Sequence, residues 1–216
     1  MDWITLPINA NGIYQVRAKD KAGLTSIKKL EIKKVDDTAP YIEFYKSSIS
    51  VAEGTTKDEL KELLLDQSGY SLWDNVDDNP TITFEDMLTE DDLSNQGVYE
   101  VTYVLTDRVG NERKATRFVK VISSANLILK ANGEIMVPCD STIVRDNNVE
   151  IILEKSRREG ESFKIYYQKG IRKAGSLKNA TVSKDGKLTN LERGFYTLYI
   201  VTQNKETYLT YLYINK

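Results

Sequence analysis

The residues able to do chemistry are few and largely of one kind. The stretch LWDNVDDNP places Asp74, Asp77 and Asp78 within a single loop, and Asp107 heads a turn that can lie at the same end of the fold. Carboxylates on facing loops are hard oxygen ligands, and calcium takes about six to eight of them. These four aspartates are therefore the candidate metal ligands, with calcium the candidate ion. The spacing is not that of a helix–loop–helix calcium loop, because no glycine stands at its sixth position. The competing reading is a solvated turn closed by Asn79-Pro80. Glu90, Asp91 and Asp92 read as a second exposed loop.

Other chemistries are excluded by composition. The chain has no histidine, which removes Ser–His and Cys–His nucleophile pairs and every histidine-ligated zinc or iron site. It has one cysteine, Cys139, so no intramolecular disulfide and no cysteine metal cluster can form. Cys139 reads as a small buried hydrophobe. No carboxylate pair separates itself from the solvated ones as a glycosidase pair would. No catalytic residue and no organic cofactor is expected, and the chain is not read as an enzyme. A net charge of −2 gives no field toward nucleic acid, and no apolar run approaches the roughly 18–20 residues of a membrane span. The opening MDWITLP lacks the regions of a signal peptide, so an exported protein would carry its signal elsewhere.

The elements that must position these groups repeat. Three stretches begin Gly-x-Tyr: Gly12-Ile13-Tyr14, Gly97-Val98-Tyr99 and Gly194-Phe195-Tyr196. After each Tyr, alternate residues form one apolar face: Val16 and Ala18; Val101, Tyr103 and Leu105; Leu198 and Ile200. This is the period of a half-buried strand. The second and third runs are read as two residues longer than the first, an even insertion that preserves facing. Asp20-Lys21-Ala22-Gly23 and Asp107-Arg108-Val109-Gly110 then place Asp first and Gly fourth, as a type I turn prefers, before a returning strand. The third copy lacks that glycine, and a different turn is expected there.

A Tyr just inside such a strand matches the tyrosine corner of immunoglobulin-like sandwiches, in which the phenol bonds back to upstream backbone. Tyr14, Tyr99 and Tyr196 are the structural residues this reading singles out. Residues 38–122, with DDTAPYIEF, ISVAEGT and GVYEVTYVLTDRVGN in order, resemble the bacterial immunoglobulin-like domains of Gram-positive surface proteins, a family also seen in a pesticidal crystal protein. The resemblance implies an all-β chain of tandem immunoglobulin-like β-sandwiches: a partial module at 1–37 (terminal hairpin only) and complete ones at 38–122 and 123–216. A lone hairpin is marginal in water. The N-terminal one therefore suggests either a fragment of a longer repeat protein or a hairpin docked on a neighbouring sheet, with the middle module or a neighbouring molecule the expected support.

The middle module carries one helix signal. Thr56 and Glu59 form a capping box, Leu60, Leu63 and Leu64 an apolar stripe, and Gly69 a stop. Charge is uneven: 41–122 holds eight basic against 17 acidic residues, and 123–216 holds 15 against ten. The third module also has surplus tyrosines. Tyr199, Tyr208, Tyr211 and Tyr213 are candidates for an aromatic surface that binds a glycan or a host or cell-surface protein, unless an adjacent module or loop covers them. The expected role is a non-catalytic fragment of a bacterial cell-surface or secreted protein, extracellular by resemblance, acting as stalk or adhesion scaffold with neighbouring modules as partners. The alternative is a carbohydrate-binding accessory module of a larger glycan-processing enzyme.

Overall fold

The computed structural model describes residues 5–8, 10–33, 35–125, 127–154 and 162–216. The chain is built mainly of strands. An isolated antiparallel hairpin comes first, β1 (Gly12–Lys19) and β2 (Thr25–Ile32). A second group follows: β3 (Tyr41–Phe44), β4 (Ser48–Ala52), α1 (Lys57–Leu65), β5 (Tyr70–Trp73), β6 (Thr81–Asp86), α2 (Glu90–Leu93), β7 (Gly97–Thr106) and β8 (Glu112–Ile122). The last group is β9 (Ile128–Ala131), β10 (Glu134–Met136), β11 (Ser141–Val144), β12 (Val149–Glu154), β13 (Phe163–Lys169), β14 (Thr181–Ser183), β15 (Lys187–Leu188), β16 (Gly194–Thr202) and β17 (Thr207–Ile214).

The second and third groups share a plan. Each has a large sheet, ordered β4-β8-β7-β6 and β11-β17-β16-β13-β14, in which an early strand lies parallel to the last one. Each large sheet faces a smaller one, β3-β5 or β10-β9-β12-β15. One apolar core joins Ile42 and Tyr70 to Val101, Tyr103 and Val119; another joins Leu129, Ile151 and Leu188 to Leu198, Ile200 and Leu212. The alternation predicted for β7 and β16 is observed, with Val101, Tyr103, Leu105, Leu198 and Ile200 fully buried.

The three hairpins close through one turn geometry. In each, the first turn residue donates its N–H to the fifth carbonyl and accepts from the fourth N–H: Asp20 with Leu24 and Gly23, Asp107 with Asn111 and Gly110, Thr202 with Glu206 and Lys205. The first side chain also accepts from the fifth N–H, at 2.8 Å for Asp20, 2.8 Å for Asp107 and 3.2 Å for Thr202. The fourth residue is left-handed: Gly23 at φ 89°, Gly110 at 96°, and Lys205 at 64°. The different turn expected in the third copy is therefore not found. Thr202 replaces Asp, and Lys205 takes the backbone region that normally favours glycine. The run lengths also need correction. β16 pairs with β17 from Gly194 to Val201 and β1 with β2 from Gly12 to Lys19, the same length, while β7 with β8 is longer by two.

The helix expectations hold in part. Thr56 and Glu59 make the predicted capping box, Leu60 and Leu64 are buried, and Leu63 is exposed. Asp66 caps the helix, and Gly69 ends a following 3-10 turn instead of stopping α1 directly. The loop expected at Glu90, Asp91 and Asp92 is a second short helix, α2, with its own capping box from Thr89 and Asp92. Asp in place of Glu at the third helical position serves the same reciprocal bond. Among the described residues, the N-terminal hairpin leaves its strands largely exposed and is not packed on the sheets of the middle group. Tyr14 is half-buried and Val16 and Leu30 are exposed, because no second sheet faces them among the described residues.

Candidate functional site

Two regions concentrate unusual side-chain arrangements. At one pole of the middle group, carboxylate oxygens of Asp36, Asp74 and Asp107 all lie within 4.8 Å of one another. The linker before β3 brings Asp36, the β5–β6 loop brings Asp74 and the β7–β8 turn brings Asp107. The loops are held from within. Asp74 Oδ1 accepts from Val76 and Asp77 N–H at 2.9 and 2.8 Å. Asp107 Oδ1 accepts from Val109, Gly110 and Asn111 N–H at 2.9, 2.7 and 2.8 Å, and Asn111 Nδ2 reaches Asp107 Oδ2 and the carbonyls of Asp36 and Thr38. Burial raises the Asp107 carboxyl, yet the donors from Asn111, Gly110 and Val109 outweigh it and hold the group below its ordinary value. Asp36 moves the other way, pushed up by burial and then by the charges of Asp74 and Asp107, against the Thr38 N–H. Asp36 Oδ2 and Asp74 Oδ2 are solvent-free without a hydrogen-bond partner among the described residues.

Of the four predicted metal ligands, the fold brings Asp74 and Asp107 together and adds Asp36. Asp77 is structural: its Oδ1 accepts from Asn79 N–H at 3.0 Å and its Oδ2 from Arg108 N–H at 2.8 Å. Asp78 is exposed beside Asn79 and Pro80. The trio Asp36, Asp74 and Asp107 could hold a hard divalent cation, whose charge would relieve their mutual repulsion.

The second region is the joint between the second and third groups, centred on Gln96, which is 1% exposed. Its Oε1 accepts from Leu209 N–H at 2.8 Å, and its Nε2 donates to Thr207 Oγ1 at 2.7 Å and Glu53 Oε2 at 3.0 Å. Its carbonyl accepts from Ala174 N–H at 2.9 Å. One residue thus ties the start of β7 to β17 through its side-chain amide, whose donors and oxygen are all engaged, and to the segment after β13 through its backbone carbonyl. Around it pack Cys139, Leu209 and Tyr211 with Val98, Ile122, Ala174 and Tyr199. Tyr211 donates to the Arg172 carbonyl at 3.2 Å. Lys173 lies 3.8 Å from the Tyr99 ring centroid and pairs with Asp92 at 3.4 Å, and Lys120 pairs with Asp140 at 2.9 Å. Lys173–Asp92 follows the opposite net charges of the two groups, a cation of the basic last group on an anion of the acidic middle group, whereas Lys120–Asp140 runs the other way. Cys139 donates its thiol to the Val121 carbonyl at 3.2 Å, and burial pushes its pKa up to about 12.

This joint accounts for the predicted aromatic surface. Tyr199 and Tyr211 point outward from β16 and β17, as the alternation requires, and the middle group and the 170–177 segment cover them. Tyr208 lies in the core and donates to the Met136 carbonyl at 2.7 Å. Tyr213 is half-buried against Phe195, with ring centroids 4.6 Å apart. The four tyrosines are thus divided among core, joint and surface and do not share one open platform.

In all three copies the Tyr phenol bonds to backbone four residues upstream. Tyr14 donates to the Ala10 carbonyl at 2.6 Å and Tyr99 to the Asn95 carbonyl at 2.7 Å, while Tyr196 accepts from Glu192 N–H at 3.0 Å. Each partner lies four residues upstream. No protein-family model matches the chain, and no curated protein matches it.

Proposed function

We propose that this chain is a non-catalytic segment of a bacterial cell-surface or secreted protein, in which immunoglobulin-like sandwiches at 38–122 and 123–216 are set in series as a stiff stalk or adhesion scaffold. The single observation that carries the reading is the Gln96 joint. A flexible linker would leave the modules free to swing, whereas a buried amide bonded to both sides, within an apolar patch, favours one angle. The parallel early-to-last strand pairing and the Tyr corners in both modules support the immunoglobulin-like assignment, and the motif order in 38–122 supports the bacterial surface setting.

The test is small-angle scattering of the intact chain beside Gln96→Ala. The wild type is expected to fit one fixed arrangement of the two modules, and the variant, with Leu209 N–H and Glu53 left unpaired, to require a spread of angles. Equal scattering from the two proteins would remove the support. A secondary reading attaches to the carboxylate trio: its two unpartnered buried oxygens favour calcium at the pole of 38–122, where the preceding hairpin enters.

A further inference from the structure

The outer face of the small sheet β3-β5 holds three aromatic rings in the open. Its register pairs Tyr41 with Trp73 and Glu43 with Ser71, and Tyr45 then donates its N–H to the Gly69 carbonyl at 3.2 Å. Side chains alternate along a strand. Ile42, Phe44, Tyr70 and Leu72 therefore turn to the core, while Tyr41, Glu43, Tyr45, Ser71 and Trp73 turn away from it. Tyr45 is 64%, Trp73 55% and Tyr41 40% exposed. The Tyr41 and Trp73 rings lie 5.5 Å apart at a tilt of 44°, and the Arg113 guanidinium sits 5.7 Å from the Tyr41 centroid. At the Tyr45 end the face opens into a cavity of about 340 Å³, whose polar lining is Tyr45, Gln67, Ser71, Asp78 and Asn79, with the Tyr70 ring beside them. Among the described residues, no hydrogen bond engages the Tyr45 or Ser71 hydroxyl, the Gln67 or Asn79 side-chain amide or the Asp78 carboxylate. Their neighbours Asp66 and Asp77, by contrast, are both engaged by backbone N–H groups.

We propose that this face and its cavity bind a neutral glycan. A sugar ring presents apolar C–H faces, which aromatic rings can cover, and a rim of hydroxyls, which amides and carboxylates can pair. Tyr41, Tyr45 and Trp73 supply the first kind of group, and Gln67, Ser71, Asp78 and Asn79 the second, in a cavity of ordinary small-ligand size. Charge selects a neutral occupant. Residues 41–122 hold 17 acidic against eight basic residues, and the cavity is lined by a carboxylate and no cation, so phosphate, sulfate and uronate are repelled. Size disfavours a protein occupant: the face is two strands of four residues each, a fraction of the ~800 Å² per partner of an ordinary protein contact. The proposal goes beyond the scaffold reading by giving the middle module a ligand, and it does not depend on the Gln96 joint.

The test is binding of the intact chain, in a chelator, to an array of neutral oligosaccharides and to gels holding soluble β-glucan, α-glucan, galactomannan or arabinoxylan, with polygalacturonate as the anionic comparison. At least one neutral glycan should be bound, and polygalacturonate should not. Trp73→Ala and Asp78→Ala should each weaken that binding about tenfold or more. Both side chains are exposed, so the melting temperature should stay unchanged and the loss cannot be one of folding. Phe195→Ala, at an exposed ring of the last group, should bind as the wild type does. A chain that binds none of the neutral glycans, as it would if a protein loop were the true occupant, overturns the proposal. So does binding that survives Trp73→Ala and Asp78→Ala together, or a preference for polygalacturonate.

Discussion

The hairpin β1–β2 and the hairpin β16–β17 have the same pairing length, the same five-residue turn and a Tyr bonded four residues upstream, yet one is exposed and the other is core. The difference teaches where each property resides. Turn and hook are decided within about ten residues of sequence, by an acceptor at the first turn position and a residue tolerating positive φ at the fourth. Burial is decided elsewhere, by strands such as β9, β12 and β15 that return from far along the chain to face the hairpin. A hairpin can therefore be complete in its hydrogen bonds and still bury almost nothing.

The sharpest way to break this comparison is to truncate the same position in both. Leu198→Ala removes a side chain with no exposure and should cost about 2–5 kcal/mol. Val16→Ala should stay within about 0.5 kcal/mol. Chemical denaturation of the two variants checks both. A comparable loss at position 16 would mean that the hairpin face is already covered within one chain.

A smaller contrast is expected at the Tyr hooks. Tyr99→Phe strands a part-buried Asn95 carbonyl and should cost about 1 kcal/mol. Tyr14→Phe leaves the Ala10 carbonyl to water and should cost less than half of that. Equal costs would show that the hook stabilises the hairpin alone and not its junction with a core. Comparable in size but opposite in sign is Lys205→Gly. The left-handed backbone at Lys205 costs a side-chain-bearing residue about 1 kcal/mol, so the variant should melt higher; Gly110→Ala in the equivalent turn should melt lower.

What was legible in the sequence follows the same division. The strand faces, the Thr56 capping box and the Asp-x-x-Gly turns depend on neighbours within a few residues, and they could be read. The third turn is not legible because Thr202 and Lys205 perform the Asp and Gly roles with other side chains. The α2 helix was readable in principle, since Thr89 precedes Asp92 at capping-box spacing, but Asp is a weaker signal there than Glu. Asp36 lies far from Asp74 and Asp107 in sequence, and only the entry of the linker against the β7–β8 turn brings them together. Gln96 carried no signal at all. An isolated Gln before a strand becomes a joint only when residues more than 100 positions later supply Thr207 and Leu209.

The smallest expected effect is the most diagnostic for the carboxylate pole. Asp36 is held above its ordinary value of about 4, so the folded state binds its proton more tightly than the unfolded state does. Its ionisation therefore opposes folding: the penalty is absent below the unfolded pKa, grows as pH rises through the folded one, and is complete above it. Asp36→Asn should thus melt above the wild type at pH 7 in a chelator and lose that advantage at about pH 3, where the native carboxyl is protonated as well. Calcium reverses the comparison if the trio binds it. Millimolar calcium should then raise the wild-type melting temperature at pH 7 and leave Asp36→Asn and Asp74→Asn nearly unchanged, because each lacks one charged ligand. A wild type indifferent to calcium, with Asp36→Asn still more stable at neutral pH, would make the pole a repulsive cluster that the surrounding N–H donors of Asn111, Gly110 and Val109 merely hold in place.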